Sequence, residues 1–244
     1  MLKALVYILI CLIAVYVVVN YNSAYAKNRK QQQNHVPVVK IVSPKNNSSF
    51  APGVQVNYSV TVSDKEDGDS KFDEINIKQV LMQVKYISDE SKLAALVNRP
   101  VENDPPGLTV MRLSNCFNCH GFDNKVIGPS VNDINKRYKP SADNIALLEK
   151  RIRDGSKGVW GKESMPSHPE LKKEEIQNIV KWMMQNADAN ETWYVGTEGA
   201  IKLPVSEGGK NGIYLLTASY TDHGAKDGTG TNLKGQDVVV IRSK

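Results

Sequence analysis

The chain has 244 residues, of which 41% are hydrophobic, so it is long enough for one large or two medium-sized globular domains. Its formal net charge is +5, and its lysines and arginines are spread along the sequence, which argues against a nucleic-acid partner. A mildly basic surface still suits an acidic partner protein or an anionic membrane face.

The first 26 residues are predicted to be a secretory signal peptide. Lys3 gives a positively charged start, residues 4–19 carry no charge, and the sequence S-A-Y-A ending at residue 26 supplies an Ala-x-Ala cleavage site. An uncleaved membrane anchor is the alternative, since the apolar run could span a slightly thin bilayer. In either case we expect the rest of the chain to be exported, soluble or anchored by this segment, on the periplasmic or outer-surface side of a bacterial membrane.

Residues 36–88 are predicted to form the first part of an Ig-like antiparallel β-sandwich, after a polar linker over residues 27–35. The β-branched stretches of this part alternate between apolar and polar residues and are separated by clusters of Pro, Gly, Asn and Asp. The predicted strands cover residues 38–42, 54–62 and 75–87. The sequence F-A-P-G at residues 50–53, followed by V-T-V-S-D at 60–64, resembles the opening of a PKD-like or other Ig-like domain.

Residues 64–69 bring several carboxylates together, from Asp64, Glu66, Asp67 and Asp69. Calcium needs several oxygen ligands, so calcium binding is an open alternative, although the spacing does not match an EF-hand loop. We interpret the segment as a solvated turn. His35 and His223 have no partners that the sequence reveals, and we assign them no role.

The segment N-C-F-N-C-H at residues 115–120 contains a C-x-x-C-H motif. Of the three cysteines in the chain, Cys11 leaves with the signal peptide or stays in the membrane, so only Cys116 and Cys119 belong to the exported part. Two intervening residues place both thiols on one side of a helical turn, where they can form thioethers with the two vinyl groups of one haem. His120 follows at once and can bind the iron. The motif therefore predicts one covalently attached haem c.

The cysteine pair has three other interpretations, namely a redox dithiol, a structural disulfide and half of a zinc site. A disulfide framework needs more cysteine pairs. A zinc site needs a second pair of ligands, and the remaining histidines are scattered singly. A thioredoxin-like motif needs a βαβ setting, which the sequence around residue 116 does not show.

The sixth iron ligand is expected in the segment G-V-W-G-K-E-S-M-P at residues 158–166. Glycines on both sides of Trp160 allow the backbone to run close to a flat cofactor. Met165 lies immediately before Pro166, which prevents helix continuation, and a thioether is a known partner of histidine on haem iron. The candidates in chain order are Met165, His168, Met183 and Met184. Met165 is preferred, His168 is the main alternative, and the last two lie in a helical pattern where methionine usually fills a core.

Residues 106–187 resemble a bacterial class I cytochrome c domain, of the small single-haem type. The matching features are a helix that enters C-F-N-C-H, a Gly-Pro turn, two further helical stretches, the G-V-W-G and M-P loop, and a closing amphipathic helix at residues 173–185. The resemblance implies an all-α domain in which Cys116 and Cys119 are the thioether sites. It also implies His120 as the proximal iron ligand and Met165 as the distal one.

The same resemblance implies roles for three further residues. Pro129 would pack beside His120 and orient it, and Trp160 would lie near a haem propionate. Trp182 would pack the closing helix onto the first helix.

Residues 193–244 are predicted to form the second part of the β-sandwich, with strands at residues 199–203, 213–220 and 238–241. The sequence around residues 212–222 resembles a late strand of an Ig-like domain. The linkers into and out of the helical domain are predicted at residues 89–105, with a short helix near 91–97, and at 188–193.

The predicted fold is therefore an α+β multidomain chain, in which one Ig-like sandwich formed from both flanks is interrupted by the cytochrome c domain. Together the two flanks approach the seven strands of an Ig-like fold, and domains tolerate insertion at exposed loops. Three consecutive domains are the alternative, which the short C-terminal flank makes less favourable.

The predicted function is that of an exported electron carrier whose haem iron cycles between Fe(II) and Fe(III). Because histidine and methionine would fill both axial positions, we expect no enzyme activity, a peroxidase being the main rival. The expected partner is a redox protein, such as a dehydrogenase, an oxidase or another cytochrome. The alternative is a cytochrome subunit whose β-sandwich is a docking or carbohydrate-binding module serving a periplasmic dehydrogenase.

Overall fold

A computed structural model describes most of the chain outside the N-terminal segment. The described residues are 16, 33–51, 53–185, 190–203, 212–226 and 230–243. The predicted signal peptide or anchor therefore lies outside them apart from Tyr16, as does most of the linker at residues 27–35. In the part of the chain that is described, no helix is both long and apolar enough to cross a membrane.

Two β-sheets are built from strands on both sides of the helical region. The first sheet contains β1 (Val38–Ser43), β3 (Gln55–Asp64), β4 (Gly68–Asp69) and β9 (Glu198–Lys202), with β3 bonded to each of the other three. The second sheet has the order β2 (Ser49–Phe50), β11 (Lys234–Ser243), β10 (Ile213–Thr221), β5 (Leu81–Ile87) and β8 (Glu191–Val195). All pairs are antiparallel except the short β2–β11 pair.

The two sheets pack face to face around one hydrophobic core. Strand β3 buries every second side chain, at Val56, Tyr58, Val60 and Val62, as the period of two of a β-strand requires. These residues join Met82 and Leu216 of the second sheet in the same cluster. The alternation seen in the sequence is therefore the pattern of a sheet with one face on a core.

The helical region lies in the connection between two neighbouring strands. Strands β5 and β8 are hydrogen-bonded partners, with Leu81 opposite Val195 and Lys85 opposite Glu191. The chain leaves β5 at Ile87, passes through the helical region, and returns at Glu191 to the position beside β5. Each of the two sheets thus contains strands from before and from after the helical region.

Four main helices follow one another in this connection, after a short helix α1 (Leu93–Val97). They are α2 (Pro106–Leu113), α3 (Val131–Arg137), α4 (Ala142–Asp154) and α5 (Lys173–Gln185). The hydroxyls of Ser130 and Ser141 cap α3 and α4 by accepting backbone N–H groups. Helices α2 and α5 are in close contact, since a Cβ at Gly107 would lie 2.1 Å from the carbonyl oxygen of Asn178.

The second sheet also packs against the helices with its other face. Met82 points into the core between the sheets, whereas the neighbouring Leu81 is fully buried among the helices. Trp193 of β8 joins Leu81 there and stacks on Phe122 with ring centroids 5.5 Å apart. The sheet is therefore covered on both faces, which explains why its central strand β10 is almost continuously buried.

Three expectations from the sequence need correction. The predicted strand at 75–87 begins only at Leu81, because Asn76 caps a short 3₁₀ turn over Ile77–Gln79. The predicted linker at 188–193 overlaps strand β8, whose β-branched and aromatic residues pair with β5. Residues 188 and 189 lie outside the described part.

The third correction concerns the acidic segment at residues 64–69, which is not a solvated turn. The Asp64 carboxylate is buried and accepts the backbone N–H groups of Glu66 and Asp67. The same segment gives partners to the two histidines left without a role, since Glu66 bonds His35 at 2.8 Å and Asp67 bonds His223 at 2.9 Å.

Candidate functional site

The helical region encloses a mainly apolar cavity of about 300 Å³. Its walls come from α2, α4, α5 and the loop after α4. All the site residues predicted from the sequence line this one cavity, namely Cys116, Cys119, His120, Pro129, Trp160 and Met165. The structure therefore brings together residues that are up to 49 positions apart in the chain (165 − 116).

The two cysteines lie on a single tight turn. Asn115 adopts a left-handed conformation with φ of 59° and ends the preceding helical segment, and Cys116–Asn118 form a 3₁₀ turn. The backbone N–H groups of Cys119 and His120 both donate to the Cys116 carbonyl, at 3.1 and 3.0 Å. Both thiols are free and half-buried. The turn thus presents two unpaired thiols and an imidazole on one short segment of backbone.

Burial decides the chemical character of the first thiol. It raises the pKa of Cys116 to about 12, so this cysteine is protonated at neutral pH. A lowered pKa favours the reactive thiolate, so the surroundings of Cys116 do not favour it as the attacking thiol of a redox dithiol. In the described residues no group of three or more His, Cys, Asp or Glu side chains is arranged to hold a metal ion.

His120 is held in the tautomer that a metal ligand needs. Its Nδ1 lies 2.7 Å from the carbonyl oxygen of Pro129, which can only accept a hydrogen bond. Nδ1 therefore carries the proton, and the lone pair of Nε2 is available. Burial lowers the pKa of His120, although the Pro129 carbonyl acts in the opposite direction. The imidazole is thus neutral near pH 7.

A Gly-Pro turn fits closely around this imidazole. The N–H groups of Ile127 and Gly128 donate to the Cys119 carbonyl, at 3.1 and 2.9 Å. A Cβ at Gly128 would lie 2.6 Å from Cε1 of His120, closer than side chains can approach. Only glycine therefore permits this turn to lie against the ring, and Pro129 follows it as the hydrogen-bond acceptor.

Met165 lies on a small hairpin that closes the cavity. Strand β6 (Ser156–Lys157) pairs with β7 (Ser164–Met165), and Met165 is the partner of Ser156. Gly155 has a φ of +81°, and a Cβ there would lie 2.8 Å from the Met165 carbonyl oxygen. The thioether is half-buried against the helical core. The glycine that ends α4 thus also permits the close packing of the Met165 segment.

The alternative ligand His168 lines the same cavity. Its backbone N–H donates to Ile152 at 3.1 Å, and its Nδ1 lies 2.9 Å from the Glu170 carboxylate. With the proton on Nδ1, its Nε2 is also free to bind a metal. Met183 lines the cavity as well, whereas Met184 packs in the helical core away from the lining.

The sequence analysis missed a group of cationic and aromatic side chains at the cavity. Arg151 lines the cavity and donates to the hydroxyl of Tyr138. The Arg137 guanidinium lies 4.6 Å from the centroid of the Trp160 ring and donates to the Val159 carbonyl at 3.0 Å. In the sequence both arginines look like ordinary helix C-terminal charges. Guanidinium groups bind carboxylates well, so this group suits the propionates of a haem.

The residues at the cavity fit a covalently bound haem. Two free thiols are available for thioethers, and a neutral imidazole offers Nε2 to the iron. A thioether or a second imidazole can take the other axial position. The close fit of Gly128 against His120 shows that the ring orientation is fixed by the backbone.

Comparisons with known proteins place this region among haem proteins. The family model described as Cytochrome c matches residues 106–187. Cytochrome c-551 of Pseudomonas aeruginosa is 36% identical over 69 residues, which cover 28% of this chain and 65% of that relative. Cytochrome c-551 of Pseudomonas denitrificans is 31% identical over 78 residues, covering 32% of this chain and 94% of the relative. This chain therefore spans just under two thirds of the first relative and nearly all of the second.

Among solved structures, the crystal structure of wild-type Nitrosomonas europaea cytochrome c552 is similar. It is 29% identical with a TM-score of 0.31, and the match covers 32% of this chain and 98% of that one.

Proposed function

Because the chain belongs to the cytochrome c family, we propose that it is a single-haem electron-transfer protein with one haem c bound covalently in the cavity of residues 106–187. The observation that carries this proposal is the placement of two free thiols and the available Nε2 of His120 on one turn facing one apolar cavity. The haem supplies an iron that changes reversibly between Fe(II) and Fe(III). The protein supplies fixed ligands and a low-dielectric surrounding.

We assign the haem ligands from the sequence motifs, and each assigned residue lines the cavity. Cys116 and Cys119 form the thioethers, His120 is the proximal ligand and Met165 the distal one. Pro129 orients His120 through its carbonyl oxygen, at 2.7 Å. With His120 and Met165 as its ligands, the iron would have no free coordination site for oxygen or peroxide, so the protein would be an electron carrier rather than a peroxidase.

Trp160 and its neighbours hold the polar edge of the cofactor. Arg137 lies over Trp160, and Arg151 bonds Tyr138 beside it. Two cationic groups next to an indole provide both charge and hydrogen-bond donors for the haem propionates.

The protein is exported, with residues 1–26 as signal peptide or anchor, and it exchanges electrons with a redox partner protein. Support comes from the signal-like N-terminal sequence and from a motif whose thiols must be free for attachment. The two-sheet unit is a PKD-like or other Ig-like sandwich interrupted by the cytochrome. The pairing of β5 with β8 across the whole helical region supports that description.

The direct test is haem attachment in an exporting bacterial host that makes c-type cytochromes. We expect the wild-type protein to retain haem on a denaturing gel and to give the spectrum of a haem with two thioethers. Cys116→Ser should leave a single thioether with a shifted spectrum, and Cys116→Ser with Cys119→Ser should lose covalent haem. A wild-type chain that matures without covalent haem would contradict the proposal.

A further inference from the structure

A buried charged cluster joins α2, the helix before the C-x-x-C-H motif, to the β-sheet unit. This unit consists of the two packed sheets formed by β1–β5 and β8–β11. Arg112 on α2 and Asp104 just before α2 have side chains that are 0% and 1% exposed, with 2.9 Å between Nη2 and Oδ2. Lys234, at the start of β11, lies 2.7 Å from the other oxygen of Asp104 and is 14% exposed. Two cations therefore share one carboxylate, which leaves one positive charge in excess within this cluster.

Neutral groups supply the remaining hydrogen bonds of Arg112 and Asp104. Arg112 donates to the backbone carbonyls of Gln79 and Ser219 at 2.8 and 2.9 Å, and Asp104 accepts from the Thr221 hydroxyl at 2.9 Å. These partners satisfy hydrogen bonds without adding charge. Burial opposes ionisation of Asp104, but Arg112 and Lys234 outweigh it and lower the pKa of the carboxyl. Asp104 is thus ionised at neutral pH and Arg112 stays protonated.

The cluster is connected to the lining of the cavity by hydrogen bonds. Besides the bond from Arg112 to the Gln79 carbonyl, the side-chain amide of Gln79 donates to Oδ1 of Asn115, which lines the cavity, at 3.3 Å. Arg112 also follows Met111, another lining residue, and lies four positions before Cys116. Asp104 and Arg112 lie at the two ends of α2, so the contacts with β10 and β11 hold the whole helix on the sheet. Nearby charges act strongly on a haem that is shielded from water.

The sign of the effect follows from the charge of the iron. Oxidised haem carries one more positive charge than reduced haem. A buried positive charge nearby therefore destabilises Fe(III) more than Fe(II) and raises the reduction potential.

We propose that the Arg112–Asp104–Lys234 cluster raises the reduction potential of the haem, so that the β-sheet unit is part of the redox site through Lys234. This inference rests on the proposed function. Its distinctive feature is that Lys234 lies outside residues 106–187, on a strand of the β-sheet unit.

The test is an equilibrium redox titration of the haem-loaded Lys234→Gln protein. Glutamine keeps a hydrogen-bond donor for Asp104 and removes only the charge, and we expect the potential to fall below the wild-type value. Lys234→Arg should restore it. The matched control is Lys202→Gln, which removes the same charge from an exposed position on β9 and should leave the potential unchanged.

Absorption spectra distinguish an electrostatic effect of the Lys234 charge from a loss of packing around the haem. The axial-ligand absorption of Lys234→Gln should equal that of the wild type while the potential differs. Equal potentials in Lys234→Gln and Lys202→Gln, or a shift that appears only with a change of axial ligand, would overturn the inference. If Lys234→Gln is too unstable to titrate, Lys234→Met is measured in the same way and is judged by the same outcomes. Covalent haem on a denaturing gel reports the proposed function separately.

Discussion

The Nδ1 atom of His120 donates a hydrogen bond to the carbonyl oxygen of Pro129, 2.7 Å away. This one contact fixes the tautomer, turns Nε2 toward the cavity and prevents rotation of the ring. Gly128, the residue before Pro129, is also needed to hold the ring in place, because the ring lies against its Cα, which carries no side chain. The Gly-Pro pair therefore supports the His120 ring.

Gly128→Ala should strain this support. A Cβ would lie 2.6 Å from Cε1 of His120, so the ring or the turn must move. Overpacking of this kind costs about 1–3 kcal/mol, and we expect the free energy of unfolding of the haem-loaded protein to fall by that amount. Denaturant unfolding followed at the haem absorption measures it. Val126→Ala, an exposed position in the same loop, is the control and should be close to wild type.

Met165→Ala and His168→Ala should separate the two candidates for the distal ligand. Both side chains line the cavity, and His168 has a free Nε2 if its proton stays on the Nδ1 that faces Glu170. We expect Met165→Ala to lose the methionine–iron absorption of the oxidised protein, to bind cyanide readily and to have a lower potential. His168→Ala should retain that absorption. The opposite pattern would make His168 the ligand.

The residues of the candidate site could largely be located from the sequence, because covalent haem attachment depends on a short local pattern. Cys116, Cys119 and His120 lie within five positions, so the motif can be recognised without the tertiary structure. The closing loop with Met165 was found because glycine and proline restrict the backbone around it. What the pattern cannot give is the hydrogen bond from His120 to the Pro129 carbonyl, which exists only in the folded turn.

The missed features all depend on contacts between distant parts of the chain. Strand β8 was interpreted as a linker because its pairing partner β5 lies on the other side of the helical region. The charged cluster was invisible for the same reason, since Arg112 and Lys234 look like ordinary surface cations until folding buries them around Asp104. The strands of the sheets were easier to find, because alternation within one strand is local.

Trp193→Ala should weaken the contact between the sheet and the helices. The indole stacks on Phe122, which in turn stacks on Phe117 between the two cysteines. Because Trp193 is partly buried, we expect a loss of about 2–3 kcal/mol in the free energy of unfolding. Trp193→Phe should recover most of it, since a ring remains to stack.

Two spectroscopic probes show whether the contact between Trp193 and Phe122 couples the unfolding of the helical region to that of the β-sheets. Unfolding is followed by haem absorption and by far-ultraviolet circular dichroism. Coincident transitions in the wild type and separated ones in Trp193→Ala would support the coupling. Identical stabilities of wild type and Trp193→Ala would rule it out.

Asp104 should make the protein sensitive to acid. Arg112 and Lys234 lower its pKa below the ordinary value of about 3.9 despite the opposing effect of burial. A carboxyl with a lowered pKa in the folded state contributes its full stabilisation above the unfolded pKa and loses it as the pH falls through the folded pKa.

At neutral pH, Asp104→Asn leaves Arg112 buried without its counter-ion and should cost about 3–5 kcal/mol. As the pH falls below about 4, the wild type takes up a proton on unfolding that the variant cannot, so the two stabilities should converge. Urea unfolding at a series of pH values measures this, with Asp73→Asn as the exposed control. A stability difference that stays constant across the acid range would mean that the pKa of Asp104 is not lowered on folding, and the predicted stabilisation of its charge by Arg112 and Lys234 would then be wrong.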